Sequence, residues 1–381
     1  MKAKAVSRFY EPTPEMLTKL NAPWCASYSG GKDSSSLVTW VEWLRRSGQI
    51  TVRNPQLVQS NTGVEDAKLN SLSLEMMETL RACGWQCVVV EPKIHEKLYN
   101  RIFGIGNTPI HPGGRAMRWC TRSTKIDPME RWRKVNSSGL TLTGLRLGES
   151  AIRDGKILKA KGCQSGGECG IPVPSERTYS PLLNWTTCNV GAWLSGDYDL
   201  SQEVRRVMAH IFELTKRLVE IYEMRVGQKG FETVEAHEWV ERTVEMARFG
   251  CIGCPAISCG PEAPKSMIAR YGADSPLCEL YAVWNEALSV RNRLQKEEPG
   301  KRNTGMGPLK MEARQRLFAR VLDIQRRAEI VLVNPEDEAF IRQCWKEQRY
   351  PRGWSAANEL TSPEVEERRD RPLFQVTING V

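Results

Sequence analysis

The sequence predicts an α/β protein built on a parallel sheet flanked by helices. Three observations carry that expectation. An apolar stretch, Trp24-Cys25-Ala26-Ser27-Tyr28, runs straight into a glycine-rich turn. Strand-like and helix-like patterns then alternate along the first half of the chain, which is the order that places strands in parallel with helices between them. From about residue 190 the periodicity becomes helical, which predicts an added helical region.

Each element has its own reason. After the turn, Leu37, Trp40, Val41 and Leu44 recur at the spacing of one helix face. Leu57-Val58 ends at Ser60-Asn61-Thr62-Gly63 and reads as a second strand with its turn. Leu69, Leu72, Met76 and Leu80 mark another helix, Cys87-Val88-Val89-Val90 a buried strand, and Thr141-Leu142-Thr143-Gly144-Leu145 a further strand. Residues 93–118, rich in Gly, Pro and Ile, are expected to form a long loop on the active-site side. Leu214, Leu218, Ile221 and Tyr222 share one helix face, and Leu317, Val321, Ile324 and Ala328 another. The expected division is 1–195 for the α/β domain, 196–350 for a helical region and 351–381 for a surface or flexible tail, where prolines and a charge run interrupt any pattern.

Composition narrows the class. At 381 residues, 40% apolar and 26% charged, the chain suits a soluble globular protein with a sizeable core. No apolar run approaches a membrane span and the N-terminus lacks a signal-peptide core, so a cytoplasmic protein with no membrane partner is expected. The formal charge of +9 permits phosphate or nucleic-acid binding without requiring it. Twelve cysteines in a reducing compartment point to free thiols or metal ligands. With only four histidines, a His-rich metal site is not expected.

Ser29-Gly30-Gly31-Lys32-Asp33-Ser34 stands between a strand and a helix. Gly30 and Gly31 allow the backbone close to an anion, and amides near Ser34 and Ser35 at the helix start would point at it, assisted by the helix dipole. Ser29 and Ser34 add hydroxyls and Lys32 a charge. The spacing is not the Gly-x-x-x-x-Gly-Lys-Ser/Thr of P-loop kinases. The plainer alternative is a glycine turn before a capped helix.

This loop resembles the SGGxDS loop of the PP-loop ATP pyrophosphatases related to PAPS reductase, which cleave ATP between the α and β phosphates. Three more segments resemble that family in the same order, so that residues 24–195 are covered. Asn61, Thr62 and Gly63 match the turn that holds the adenosine. Gly144-Leu145-Arg146-Leu147-Gly148-Glu149-Ser150 matches a segment near the phosphates, and Pro181-Leu182-Leu183-Asn184-Trp185 a helix start. The resemblance implies an adenine nucleotide α-hydrolase-like fold with ATP and Mg²⁺ as cofactors. Lys32 and Arg146 would steady the leaving pyrophosphate, and Asp33 would position Mg²⁺.

Cys251-Ile252-Gly253-Cys254 with Cys259 spaces three thiols so that they can converge on one metal or cluster. Trp119-Cys120-Thr121 through Lys125 and Pro128 is similar to the DndC/SspD-type enzymes of DNA phosphorothioation. That resemblance implies a [4Fe–4S] cluster on Cys120, Cys251, Cys254 and Cys259, with zinc the alternative that four sulfur ligands would also suit. It further implies ATP-dependent sulfur transfer to DNA, a cysteine desulfurase as sulfur donor and other DNA-modification subunits as partners. The alternative on the same fold is a PAPS/APS reductase-like sulfonucleotide reductase or a tRNA thiolation enzyme; a third possibility is a non-catalytic nucleic-acid-binding subunit.

Cys163 and Cys169 are a persulfide pair, alternative ligands or loop thiols without a role. Glu168-Cys169-Gly170-Ile171 imitates the reductase tail, but it precedes the Pro-Leu-Leu-Asn-Trp segment and Pro172 replaces the histidine. Cys25, Cys83, Cys87, Cys188, Cys278 and Cys344 lie in apolar or helical patterns and are expected to pack. If Arg118 to Lys125 is helical, Arg118, Arg122 and Lys125 share a face. Lys125 and Arg146 are then candidate phosphate contacts, whereas Arg291, Arg293, Lys296, Lys301 and Arg302 are read as ordinary surface.

Overall fold

The computed structural model describes residues 12–108, 119–136, 139–147, 178–196, 202–223, 252, 268, 271–294 and 307–360. The chain separates into two compact units that interleave in sequence. The first is Met1–Ser60, Asp66–Val90 and Met129–Phe249; the second is Asn61–Glu65, Glu91–Pro128 and Gly250–Val381.

In the first unit, α1 (Pro14–Asn21) leads into β1 (Trp24–Tyr28), α2 (Lys32–Arg46), β2 (Gln56–Ser60), α3 (Ala67–Ala82) and β3 (Gln86–Val90). Next come β4 (Leu140–Leu142) and β5 (Thr178–Tyr179). These five strands form one sheet in the order β3-β2-β1-β4-β5, and every pairing in it is parallel. The expected fold class is the observed one. The chain leaves β1 toward β2 on one side and later places β4 on the other, so the sheet changes direction between β1 and β4. In open α/β sheets, that switch opens a crevice at the carboxyl ends of the strands.

Alternation along β1 divides the two faces. Trp24, Ala26 and Tyr28 enter the main apolar cluster with Leu37, Trp40 and Leu44 of α2 and Leu72, Met76 and Leu80 of α3. Behind them pack α6 (Thr187–Ser195) and α7 (Gln202–Glu223), which contribute Trp193, Leu214, Leu218 and Tyr222. Four tryptophans interlock edge to face: Trp40 with Trp185 at 6.0 Å, Trp43 with Trp193 at 6.0 Å, and Trp185 with Trp193 at 6.2 Å. Such pairs contribute about 0.5–1.5 kcal/mol each beyond their buried area. The opposite face of β1 turns Ser27 toward Met129, with Oγ 3.9 Å from Sδ.

Several expectations need correction. Cys87–Val90 is a strand but not a buried one: it lies at the edge of the described sheet, and Val89 is 36% exposed. An apolar run marks a strand without saying how many neighbours it has. The strand expected at 141–145 spans Leu140–Leu142 only, and Thr143 onward is the loop that follows it.

In the second unit the expected loop over 93–118 contains a 3₁₀ turn, Ile94–Glu96, and a π-helical turn, Asn100–Ile105; residues 109–118 lie outside the described residues. Ile102 and Phe103 of the π turn are fully buried with Trp284, Leu317, Phe318 and Ile341. Trp284 and Ile341 come from α8 (Leu280–Leu288) and α10 (Pro335–Lys346), Leu317 and Phe318 from α9 (Met311–Ala328). Asp337 accepts from Lys97 Nζ at 2.9 Å and from Asn100 Nδ2 at 2.8 Å, joining that turn to α10.

The basic segment is helical in pieces: α4 (Trp119–Thr121), a π turn over Arg122–Ile126 and α5 (Asp127–Asn136). Arg122 and Lys125 are both exposed, and Arg118 lies outside the described residues. Of the expected tail, residues 351–360 are described. A short helix, α11 (Ala356–Leu360), follows, and Glu359 accepts from the Met311 amide at 2.7 Å and from Tyr350 Oη at 2.6 Å. Arg293, read as surface, is 6% exposed and donates to Gly307 O and Thr108 Oγ1, each at 2.8 Å; a charge in a basic run can turn inward when carbonyls receive it. Lys296, Lys301 and Arg302 lie outside the described residues.

Candidate active site at the carboxyl end of the sheet

The turn after β1 is shaped by its own residues. Gly30 takes a positive φ of 70°, and a Cβ there would stand 2.8 Å from Ser73 Cβ and Oγ on α3. Only glycine satisfies both the conformation and the space. Ser34 Oγ donates to Gly31 O at 3.0 Å and accepts from Ser29 N at 3.2 Å, with Ser29 Oγ 3.0 Å away. The two serines therefore tie the turn to the first turn of α2.

Helix α2 begins at Lys32 with Gly31 as its cap, and the cap supplies no side-chain hydrogen bond. First-turn amides have no carbonyl within their own helix and carry the positive end of its dipole. Here a detail expected from sequence changes. The Ser35 amide donates to Gly31 O at 2.9 Å and belongs to the helix ladder, so the amides left for an anion lie earlier, at Asp33 and Ser34. The Lys32 amide donates to Tyr222 Oη at 3.1 Å. Tyr222 ends α7 and is buried. Sequence reasoning placed it only on an apolar helix face. No pattern assigns a hydroxyl at the end of one helix to the start of another.

The switch between β1 and β4 brings a second segment onto the loop. A Cβ at Gly144 would meet Asp33 O at 2.7 Å and Ser34 N at 3.0 Å, so the chain after β4 passes against the start of α2 as only glycine can. Two residues on, Arg146 is 3% exposed. Its Nε donates to Asp33 Oδ1 at 2.6 Å and its Nη1 to Trp185 O at 3.1 Å. Lys32 Nζ reaches Asp33 Oδ2 at 2.7 Å. Burial pushes the Asp33 carboxyl up, but the two cations beside it outweigh that and hold it below its ordinary value. Leu147 N donates to Leu183 O at 2.9 Å, and Thr143 N to Tyr179 O at 2.9 Å. The Gly144–Leu147 and Pro181–Trp185 segments are thus seated together. Trp185 is followed by Thr186, which caps α6 in a reciprocal pair with Asn189.

Of the expected site residues, the structure brings together Ser29, Gly30, Gly31, Lys32, Asp33, Ser34 and Arg146 in the first unit. Gly148, Glu149 and Ser150 lie outside the described residues. Asn61, Thr62, Gly63 and Lys125 belong to the second unit. There the Asn61 turn is tightly closed. Asn61 Oδ1 accepts from Gly63 N at 3.0 Å, and Thr62 N and Oγ1 donate to Glu65 Oε1 at 2.8 and 2.5 Å. Asn61 Nδ2 donates to Glu91 Oε1 at 3.0 Å.

Among the expected metal ligands Cys120 is described, whereas Cys251, Cys254 and Cys259 lie outside the described residues, as do Cys163 and Cys169. Among the described residues there is no group of three or more His, Cys, Asp or Glu poised for a metal. Trp119 and Cys120 pack against the apolar cluster that also buries Ile252, whose amide donates to Val64 O at 2.6 Å. Cys25 and Cys344 are buried, and Cys83, Cys87 and Cys278 are partly so. Burial raises all five thiols, Cys25 to about 12 and Cys87 to about 11. Packing thiols are kept neutral in this way. The Cys188 side chain lies outside the described residues.

No described helix is long and apolar enough to cross a membrane. No family model matches the chain, and no curated protein matches it. Among solved structures it is similar to the crystal structure of phosphoadenylyl-sulfate (PAPS) reductase from Candida auris in a phosphate complex. The identity is 12% and the TM-score 0.31, over 52% of this chain and 93% of that one.

Proposed function

We propose that this chain binds ATP at Ser29–Ser34, cleaves it between the α and β phosphates and uses the activation for sulfur transfer to the DNA backbone. One observation carries the nucleotide reading: a glycine turn and helix start at the sheet's switch point, with the buried Arg146 held on the same loop by Asp33. An anion there meets backbone amides, a helix dipole and two cations, the combination that stabilises charge on a departing pyrophosphate. In this reading Lys32 and Arg146 receive the developing charge, and Asp33 holds both in place before ATP arrives. Mg²⁺ positioned by Asp33 and adenosine contacts at Asn61, Thr62 and Gly63 belong to the same proposal, as does Lys125 as a contact for ATP phosphates or a nucleic-acid phosphodiester.

The sulfur-transfer reading draws on the resemblance of Trp119–Pro128 and of the Cys251 cluster to the phosphorothioation enzymes. A [4Fe–4S] cluster on Cys120, Cys251, Cys254 and Cys259, or zinc in its place, is part of it. Supporting that ligand set, Cys120 and Ile252, the residue after Cys251, pack in one apolar cluster. Such a cluster supplies redox or sulfur chemistry when bound. A cysteine desulfurase would provide the sulfur and further DNA-modification subunits would complete the system.

The test uses anaerobically purified full-length protein. Pyrophosphate release from ATP is measured with duplex DNA, single-stranded DNA or tRNA present, and PAPS is offered as an alternative substrate. DNA-dependent release with ATP supports the proposal. Stimulation by tRNA alone, or turnover of PAPS without ATP cleavage, replaces it with thiolation or sulfonucleotide reduction. Binding of nucleic acid with no pyrophosphate release from any mixture makes the chain a non-catalytic subunit.

A further inference from the structure

Helix α2 presents its first amide, that of Lys32, to a phenol rather than to solvent. Tyr222 Oη lies 3.1 Å from Lys32 N, and a Cβ built on Gly31 would come within 3.4 Å of that same oxygen. The phenol therefore lies over the two residues at which the loop becomes helix. Tyr222 is 5% exposed and its ring belongs to the main apolar cluster. The hydroxyl reaches the loop from the end of a 22-residue helix anchored by its own apolar face, so its position is built into the packing.

A phosphate oxygen and a phenol oxygen make the same demand on an N–H group: each is an acceptor about 3 Å away. One amide donates well to only one of them. We propose that Tyr222 is a placeholder for a nucleotide phosphate: its hydroxyl satisfies the Lys32 amide in the free protein and yields that amide when a phosphate binds. Free protein then carries no unsatisfied amide at Lys32 under a buried ring, which would cost stability. The expense is affinity, because the phosphate must replace an existing hydrogen bond. Tyr222 thus sets how tightly the loop holds its anion, as a positioning residue and not a catalytic one. The inference rests on the loop being the phosphate site, and the experiment separates the two.

Calorimetry with full-length wild type and Tyr222→Phe measures ATP and pyrophosphate binding, with thermal melting of both proteins alongside. The placeholder predicts that Tyr222→Phe binds pyrophosphate more tightly, by about two- to tenfold, the value of one hydrogen bond no longer broken on binding. Its melting temperature should fall slightly, because the Lys32 amide loses its partner. Unchanged or weaker binding by the variant overturns the placeholder while leaving the loop as a phosphate site. Binding by neither protein sinks the loop assignment, and the placeholder with it. As a direct readout, 3-fluorotyrosine at position 222 should change its ¹⁹F resonance when pyrophosphate saturates the protein; an unmoved resonance at saturation also overturns it.

Discussion

Asp33 Oδ1 and Arg146 Nε meet at 2.6 Å although 113 positions separate them in the chain. That contact joins the loop after β1 to the loop after β4, and it ties the proposed phosphate site to the sheet's reversal of direction. Each oxygen of the Asp33 carboxylate accepts from one cation, Oδ2 from Lys32 and Oδ1 from Arg146, so the carboxylate aims both.

Replacing Asp33 by Asn should therefore remove aim before it removes charge. The expected result is a loss of about 1.5–3 kcal/mol in stability at pH 7, the range for a charged hydrogen bond, and at least a tenfold fall in pyrophosphate release. The pH dependence has a definite sign. The folded Asp33 carboxyl is held below its ordinary value of 3.8, so its contribution is present above that value and lost as pH falls through the folded one. Urea midpoints for wild type and Asp33→Asn should converge on acidification below pH 4; a constant gap would contradict the assignment.

Gly144 should tolerate no side chain. A Cβ there would press 2.7 Å from Asp33 O, which is backbone and has little room to move. Gly144→Ala is expected to cost about 1–3 kcal/mol and to weaken ATP binding together with stability. Thermal melts and calorimetry on the same preparation check both.

Trp193 meets Trp43, Trp185 and Phe212 edge to face while its indole N–H donates to Thr39 Oγ1 at 2.8 Å. Trp193→Ala should destabilise by about 3–5 kcal/mol, and Trp193→Phe by less, because part of the volume stays filled. Chemical denaturation followed by far-UV circular dichroism measures the difference.

Alkaline pH should loosen the fold through Cys25. Its folded thiol is pushed up to about 12 by burial, against an ordinary value of 9.0. Between those values the unfolded chain ionises and the folded one does not. The associated stability is thus complete below pH 9 and declines as pH rises toward 12, by at most about 1.4 kcal/mol per pH unit. Cys25→Ala should flatten the slope of denaturation midpoint against pH between 9 and 11; an unchanged slope would assign it to other groups.

Metal content tests the proposed ligand set directly. Cys120→Ser, purified anaerobically beside wild type, should lose most of its iron and sulfide and the associated visible absorbance. Stoichiometric zinc with no iron in wild type would identify the alternative metal. Full iron retention in the variant would remove Cys120 from the set.

Much of the first unit is legible in residue order because its determinants are local. Leu37, Trp40, Val41 and Leu44 announce a helix by spacing, and all four are buried. Gly30 announces a turn that only glycine can make. The edge position of Cys87–Val90 was not legible, since burial of a strand depends on partners elsewhere in the chain. Nor was Arg293, whose inward turn depends on the Gly307 carbonyl and the Thr108 hydroxyl across the second unit.

By itself, the amino-acid order determined the α/β class and the glycine turn between strand and helix at Ser29–Ser34, because periodicity and glycine placement act over a few residues. Only the tertiary structure decided that Asp33 holds Arg146 on that turn and that the Tyr222 hydroxyl meets the Lys32 amide. Arg146 arrives because β4 pairs with β1, and Tyr222 because α7 packs behind α2. Both are consequences of long-range packing, in which the free energy comes from burying distant apolar faces together and not from any property of the residues taken in sequence.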